Sequence, residues 1–177
     1  MSFKVGDAVV YPHHGVAVIE GREQRRAFGE NRHYLVLHVT HDDLTLLVPV
    51  DGIDQVGVRE IIGAEEATDV LATLAKRDAH VPLNWSRRFK NHMAKLKSGD
   101  IYQVAEVVRN LTCRGQQRPL SAGEKRMLGT ARRTLVAELS IAMRISDKET
   151  DQQIDAILAR STVPLVATSP EPSRPST

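Results

Sequence analysis

Two kinds of hydrophobic periodicity divide the chain near residue 60. Up to about Val58 the apolar residues form short β-rich runs between turn residues, whereas from Ile61 onward they recur every three or four positions. The first part predicts strands over 8–11, 15–20, 34–39, 44–48 and 55–59. Short strands so closely spaced indicate a small closed or nearly closed β-barrel of the SH3 or Tudor type.

The second part of the chain predicts an all-α domain of about five helices. Asn84 and Asp100 are suited to cap helices, Gly99 can adopt the left-handed conformation between them, and Ser121–Glu124 and Ser146–Glu149 match the capping box. The predicted helices cover 61–76, 84–97, 101–112, 121–144 and 146 to about 158, with loops at 79–83 and 115–120. We therefore expect a β domain at 1–60, a helical domain at 61–160 and a disordered tail rich in Pro, Ser and Thr at 161–177.

Composition is that of a folded protein. The 177 residues are 41% hydrophobic and 26% charged, which suits two small domains. No apolar run approaches the ~20 residues that span a bilayer, and no signal peptide is visible, so we expect a cytoplasmic monomer that does not contact membranes. A single cysteine, Cys113, excludes an intramolecular disulfide and a cysteine-based zinc cluster.

Positive charge is concentrated in one segment. Residues 81–133 carry 12 lysines and arginines against 3 acidic residues, a net charge of +9, whereas residues 1–60 have a net charge of −3. A solvated surface normally mixes both signs. The segment therefore indicates a surface that binds an anionic partner, and nucleic acid is the leading candidate for that partner.

The only tryptophan lies inside this segment, in Asn-Trp-Ser-Arg-Arg-Phe-Lys at 84–90. A flat ring among cations can stack on a base or wedge between base steps. Alternatively, Trp85, Phe89, Met93 and Leu96 form one apolar helical stripe and pack in the core. Both interpretations are satisfied if the last three residues are core and Trp85, in the first turn, overhangs it.

Cations surround this stripe. Arg87, Arg88 and Lys90 occupy the polar side of the helix start, and Lys125 and Arg126 lie in the first turn of a later helix, where backbone N–H groups favour an anion. A plain exposed helical face explains Lys125 and Arg126 equally well. Few side chains here could distinguish bases, so binding would be led by the phosphate backbone, and four contacts imply a slope of log K against log salt of about −3.6.

Candidate catalytic chemistry is weak. Histidines cluster in the β part, at His13, His14, His33, His38 and His41, but no metal-ligand spacing occurs among them. Asp42-Asp43 and Glu65-Glu66 are adjacent pairs with no reason to converge on a substrate. Phosphate-loop, dinucleotide, nucleophile-elbow and metalloprotease motifs are absent, so we expect neither an enzyme nor a cofactor.

Several motifs in order carry a family resemblance. They span residues 3 to about 140 and read Phe-Lys-Val-Gly-Asp at 3–7, Val-Val-Tyr-Pro-His-His-Gly at 9–15, Tyr-Leu-Val-Leu at 34–37, Asn-Trp-Ser-Arg-Arg at 84–88, Ser-Gly-Asp at 98–100, Val-Ala-Glu-Val-Val-Arg at 104–109 and Leu-Ser-Ala-Gly-Glu-Lys-Arg-Met-Leu at 120–128. The chain in this respect resembles the bacterial CarD/CdnL family.

The resemblance implies a transcription regulator that binds RNA polymerase. Its Tudor-like barrel would dock on the polymerase β subunit through Arg25, and its helical domain would contact promoter DNA at the upstream edge of the melted bubble. The resemblance makes Trp85 a minor-groove wedge that stabilises the open promoter complex, and it makes Arg87, Arg88, Lys90 and Lys125 the cations on DNA. The alternative is a general nucleic-acid-binding module whose β domain binds a different protein.

Two positions depart from the family pattern. Leu47 stands where a second polymerase-facing arginine is usual, and Arg26 stands where a small polar residue is common. Either Arg26 replaces the missing charge, or the polymerase contact is weakened and the chain is a paralogue with altered polymerase affinity.

Overall fold

A computed structural model describes residues 3–77 and 84–161. The predicted loop at 79–83 and the predicted disordered tail beyond Ser161 lie outside the described residues. Within them, the change from strands to helices near residue 60 is confirmed, because β5 ends at Glu60 and the helices of the second part follow it.

The N-terminal part is one open antiparallel sheet. Its strand order is β4-β3-β2-β1-β5, with β4 and β5 at the two edges. The sheet is therefore open, and the expectation that its strands close, or nearly close, into a barrel is wrong. The strands are β1 Ala8–Tyr11, β2 Gly15–Ala27, β3 Glu30–Val39, β4 Leu44–Pro49 and β5 Arg59–Glu60.

Closure fails at the fifth strand. Residues 55 and 56 of the predicted strand at 55–59 instead belong to a short helix, α1 Ile53–Val56, which follows a 3-10 turn at Val50–Gly52 and ends at Gly57 with a φ of 82°. The left-handed Gly57 redirects the chain, so β5 keeps only two residues and pairs with β1 alone. A strand of two residues with one partner leaves the sheet open.

Strands β2 and β3 are longer than hydrophobic alternation predicts. Their pairing continues from Ile19 opposite Leu37 out to Ala27 opposite Glu30, past the last buried residue of β2. The hairpin is closed by Phe28 and Gly29, whose φ values of 54° and 84° are those of the two-residue turn that matches strand twist. We call residues 22–34 the hairpin arm; backbone hydrogen bonds form it without an apolar face.

Between residues 61 and 161, in the part of the chain that the structure describes, five helices follow the sheet, as predicted. They are α2 Ala64–Ala75, α3 Trp85–Lys97, α4 Ile101–Gln117, α5 Ala122–Met143 and α6 Asp147–Ser161. Helix α4 passes the predicted end at Thr112 and includes Gly115, whose small size leaves room for Leu120, since an added Cβ would lie 3.4 Å from that side chain.

Two hydrophobic cores are present. The β core lies on one face of the sheet, where Ile19, Leu37 and Val39 are fully buried. The helical core is built from α2, α4, α5 and α6 around Leu74, Val108 and Leu135. Helix α3 lies at the edge of the second core and contributes only partly buried side chains to it.

Candidate nucleic-acid and protein interfaces

Helix α3 begins at a well-defined cap. The side-chain oxygen of Asn84 accepts a hydrogen bond from the backbone N–H of Arg87 at 3.1 Å, which satisfies a free donor of the first turn. Trp85 follows directly and keeps 49% of its surface exposed. The indole is thus attached to a fixed helix end while half of it remains in contact with solvent.

The aromatic stripe divides as predicted. Phe89, Met93 and Leu96 are partly buried and pack against the helical core, whereas Trp85 stacks outside them on Phe89, with ring centroids 5.2 Å apart and planes inclined by 23°. Gly123 of α5 supports this stack, because a Cβ there would lie 3.1 Å from Phe89 Cε2. The absence of a side chain at 123 lets Phe89 approach α5 closely.

Exposed cations lie at two neighbouring helix starts. Arg87 and Lys90 are exposed on α3, and Lys125 and Arg126 are exposed on the first turn of α5. The contact between Phe89 and Gly123 brings these two turns together. Residues 84–97 contain no acidic residue, so exposed cations and helix N-termini give this region a positive potential. We call Trp85, Arg87, Lys90 and Lys125 the Trp85 face.

Arg88 does not belong to this exposed set. It is 1% exposed, and its Nε and Nη2 donate to Glu124 Oε1 at 3.2 and 3.1 Å. The predicted direct phosphate contact of Arg88 therefore requires a correction: this guanidinium is committed to a buried carboxylate. The hydrophobic pattern missed it because the buried side of α3 is wider than its apolar stripe and includes both Arg88 and His92.

Glu124 is the centre of a buried network that joins three helices. It completes the predicted capping box, accepting from the Ser121 backbone N–H at 3.0 Å, and it lies 3.3 Å from Arg114 Nε of α4. Burial would raise the pKa of Glu124, but the hydrogen bonds from Ser121 and Arg88 and the charges of Arg114 and Arg88 outweigh it, so the pKa lies below its usual value. The carboxylate stays charged and holds the ends of α3, α4 and α5.

His92 lies one turn beyond Arg88 and is 2% exposed. Neither ring nitrogen has a hydrogen-bond partner among the described residues. Burial and the nearby charges of Lys95 and Arg88 lower its pKa to about 4. The imidazole is therefore neutral near pH 7 and adds no charge to the Trp85 face.

The arginines predicted to face polymerase lie on the hairpin arm. Both Arg25 and Arg26 are exposed, and Arg25 forms an ion pair with Glu23 on the same strand at 2.9 Å. Side chains alternate between the two faces of a strand, so Arg25 and Arg26 project to opposite sides of the arm. One flat partner surface cannot contact both in the same way.

Leu47 lies on the face that carries Arg25. Arg25 is opposite Arg32, Leu47 is opposite Val36, and Arg32 and Val36 point to the same face of β3. The two levels are four residues, or about 13 Å, apart. Arg26, on the other face, is thus not placed to replace a cation at position 47, and the exposed leucine leaves this part of the surface uncharged.

Phe28 is the functional candidate that sequence reasoning treated only as a turn residue. It is 93% exposed at the tip of the hairpin arm, with a left-handed backbone, and the guanidinium of Arg32 lies 5.8 Å from its ring centre. Its signal in the sequence was an aromatic residue beside glycine in a two-residue turn. Glu124 and Gly123 were recognised only as part of a capping box, because their partners Arg88 and Phe89 are more than thirty positions away.

Other site chemistry is absent from the part of the chain that the structure describes. No three His, Cys, Asp or Glu side chains converge there as they would to hold a metal ion. Within the same residues, no helix has the length and apolar character needed to cross a membrane.

An open sheet with an exposed arm, joined to a helical bundle with a cationic aromatic end, is typical of a protein that binds macromolecules through two separate surfaces. Comparison with known proteins agrees with that class. Residues 3–62 match the family described as CarD-like/TRCF RID domain, and residues 69–155 match the family described as CarD, C-terminal domain.

Individual relatives are also similar. "Putative transcription factor YdeB" of Bacillus subtilis (strain 168) is 30% identical over 147 residues, covering 83% of this chain and 96% of that protein. The solved structure "CdnLNt from Myxoccoccus xanthus" is 35% identical, covers 35% of this chain and 87% of its own, and superposes with a TM-score of 0.31. The chain belongs to the CarD/CdnL family of transcription regulators, proteins that are generally not enzymes.

Proposed function

We propose that this transcription regulator contacts the RNA polymerase β subunit through the β domain, residues 1–60, and promoter DNA through the helical domain, residues 61–160. The Trp85 face would lie at the upstream edge of the melted bubble and stabilise the open complex. The observation that carries the proposal is Trp85 itself, which is half exposed, stacked on a packed phenylalanine and surrounded by cations.

The wedge role follows from the energetics of exposed aromatics. A half-exposed indole loses apolar burial in the free protein and regains it when it enters a gap between bases. Such a gap is least costly to open where base pairs are already disrupted, so Trp85 would bind the edge of a bubble better than intact duplex. A ligand with that differential affinity shifts the closed-to-open equilibrium towards the open state without catalysis.

The exposed cations would hold the DNA backbone on either side of the wedge. Arg87, Lys90 and Lys125 are available, whereas Arg88 acts through Glu124 to position α3. Three phosphate contacts at about −0.9 each give a salt slope near −2.7, which is shallower than the value of about −3.6 expected for four. A measured slope therefore distinguishes a contacting Arg88 from a positioning one.

The polymerase contact would centre on Arg25, with Phe28 as an apolar anchor at the tip of the arm. Aromatic and arginine side chains are the residues that most often dominate protein interfaces. Leu47 favours the second possibility raised by the sequence, a paralogue with altered polymerase affinity, because Arg26 projects to the opposite face. Arg26 would then add positive charge from the opposite side of the arm, outside the contact centred on Arg25.

The decisive experiment replaces the wedge. Trp85→Ala should fold normally but lose its preference for a fork junction over plain duplex, by about 1–3 kcal/mol or roughly 5- to 150-fold. Ile141→Ala is the matched control, since Ile141 is an exposed apolar residue on α5 with 43% exposure. Binding is measured by anisotropy on both DNAs, and open-complex lifetime is measured with purified polymerase.

Three results would contradict the proposal. If Trp85→Ala unfolds, the indole is a core residue. If fork preference persists in that variant, the wedge is elsewhere. If the wild type binds DNA in a salt-dependent manner but never changes open-complex lifetime, the chain is a general nucleic-acid-binding module whose β domain has a different partner.

A further inference from the structure

One ion pair joins the β domain to the helical domain. Arg59 of β5 donates from Nη1 to Glu138 Oε1 at 2.6 Å and from Nη2 to Glu138 Oε2 at 2.9 Å. Glu138 lies in the C-terminal part of α5 and is 1% exposed. Two parallel N–H donors on one carboxylate fix the relative orientation of the groups as well as their distance. We call Arg59 and Glu138 the clamp.

The clamp also reaches the end of the helix that carries Trp85. Arg59 Nε and Nη2 donate to the backbone carbonyl of Gly99 at 3.1 and 2.8 Å. Gly99 has a φ of 73° and forms the turn between α3 and α4. A single β-domain side chain therefore bonds to the turn that follows α3 and to the C-terminal part of α5, and these two helices form the Trp85 face.

Glu138, the acidic residue of the clamp, makes a further hydrogen bond. Glu138 Oε1 also accepts the backbone N–H of Ile62 at 3.2 Å, just after β5. The chain that connects the two domains is thus bonded to the same carboxylate as Arg59. A change in domain angle would break three kinds of hydrogen bond at once and leave a buried charge without a partner.

Close packing supports the clamp from the β1–β2 turn. A Cβ added to Gly15 would lie 3.4 Å from the Thr134 side chain of α5, and one added to Gly99 would lie 3.6 Å from Pro12. The turn therefore fits between α5 and the α3–α4 turn at van der Waals distance. One contact is on α5 and the other is on the α3–α4 turn, the two parts of the helical domain to which Arg59 is also bonded.

We propose that Arg59 and Glu138 are positioning residues that fix the distance and angle between the hairpin arm and the Trp85 face. This inference rests on the proposed function, in which the arm contacts polymerase and Trp85 contacts DNA. When the arm is bound, a rigid connection presents Trp85 at one place on the promoter, and a loose connection spreads it over many. The clamp thereby raises the effective concentration of Trp85 at the bubble edge without touching either partner.

The side chain of Glu138 is 1% exposed and that of Arg59 is 31% exposed, and this burial of the carboxylate is consistent with a role in geometry. Replacing a buried ion pair by apolar residues of similar volume is often neutral or stabilising, so such a pair is weak evidence for stability alone. An apolar replacement would still pack but would lack the fork geometry and the bond to Gly99. This difference separates positioning from stability in an experiment.

The test compares Arg59→Met/Glu138→Leu with wild type in the full chain. Arg132→Ala is the matched control, because Arg132 pairs with Asp151 and Asp155 between α5 and α6, inside one domain. Spin labels at His33→Cys and Asn91→Cys, with Cys113→Ala, report the distance between the arm and α3. Affinity for the isolated β subunit, affinity for fork DNA and open-complex lifetime are then measured separately.

We expect the clamp variant to broaden the spin-label distance distribution and to keep its affinity for each single partner within about twofold of wild type. The increase in open-complex lifetime that the protein produces should be about tenfold smaller than with wild type. Arg132→Ala should change none of these. Arg59→Lys, which keeps the charge but loses the fork, should lie between. The inference is overturned if the distance distribution stays narrow, if lifetime is unchanged despite broadening, or if both single affinities fall with the lifetime as in a merely destabilised protein.

Failure of the proposed function has a different signature. Wild type would then leave the open-complex lifetime unchanged or bind no β subunit. The spin-label distances do not depend on either partner, so they still decide whether the clamp fixes the domain geometry.

Discussion

The Trp85 face and the hairpin arm use similar residues in opposite physical settings. Beneath the Trp85 face, Arg88 and Glu124 form an ion pair whose side chains are 2% and 3% exposed. On the arm, Arg25 and Glu23 form an ion pair whose side chains are 57% and 45% exposed. A buried pair is costly to break, and an exposed one contributes little. The Trp85 face is therefore preorganised by tertiary structure, whereas the hairpin arm is a β ribbon whose side chains can adapt to a partner.

The largest effect is expected from removing the carboxylate that organises the Trp85 face. Glu124→Ala removes the buried carboxylate that pairs with Arg88 and faces Arg114, and it should lower the free energy of unfolding by about 3–5 kcal/mol. Glu149→Ala is the control, because Glu149 occupies the same position in the exposed second capping box at Ser146 and its loss should cost much less. Equal losses in urea denaturation would show that Glu124 acts only as a cap.

The next effect comes from the unpaired buried histidine. His92→Leu removes two polar atoms that lack partners and should raise the free energy of unfolding by about 1–3 kcal/mol. With a folded pKa of about 4 against 6.5, His92 binds a proton only in the unfolded state between these pH values, so wild-type stability falls as pH drops through that window.

The pH series separates the two consequences of burying His92. In His92→Leu this part of the slope disappears, so the advantage over wild type grows as the pH is lowered. His92→Asn should flatten the same slope without the gain in stability, because it remains polar but does not titrate. An unchanged slope in both variants would contradict the assignment to His92.

A smaller effect tests the glycine beneath the aromatic stack. Gly129→Ala, inside α5 with only the flexible end of Arg133 nearby, should stabilise by about 0.5–1 kcal/mol. Gly123→Ala should lose this gain, because its Cβ would meet Phe89 at 3.1 Å, and should also weaken fork-junction binding by moving Trp85. Identical behaviour of the two variants in denaturation and DNA binding would separate Phe89 from the positioning of Trp85.

The smallest effect on stability is expected on the arm. Arg25→Glu breaks only an exposed pair and should change the free energy of unfolding by less than about 0.5 kcal/mol, yet it should weaken binding to the polymerase β subunit. Arg26→Glu makes the same charge change on the opposite face and should weaken binding less. If the two variants are equivalent in a titration with the β subunit, recognition is by net charge and not by one face of the arm.

Local signals were sufficient for much of the fold. Asn84, Asp100 and the two capping boxes marked helix starts correctly, because each motif closes its hydrogen bonds within three residues. The change in hydrophobic periodicity near residue 60 is also a local signal, and it marked the change from strands to helices correctly. The open sheet was missed because a left-handed Gly57, which redirects the chain, leaves no mark on the hydrophobic pattern.

The candidate site was predictable only where exposure follows from position. Trp85 in the first turn of α3 is exposed as expected. Arg88, however, is buried and pairs with Glu124, which lies 36 positions later in the sequence. A helical projection counts arginine as polar and therefore outward, and only tertiary structure supplies the carboxylate that allows its burial. The opposite faces of Arg25 and Arg26 follow from strand alternation, but only once β2 is known to extend through both.

The clamp also sets an order of events during synthesis. Arg59 and Glu138 are 79 residues apart in sequence, so a ribosome adding 5–20 residues per second completes the β domain about 4–16 s before the carboxylate that will receive its arginine. For most of that interval Gly15 has no Thr134 to pack against, because this residue of α5 is added only four residues before Glu138. The hairpin arm needs no part of the helical domain, so a nascent chain presents it before Trp85 has a fixed place.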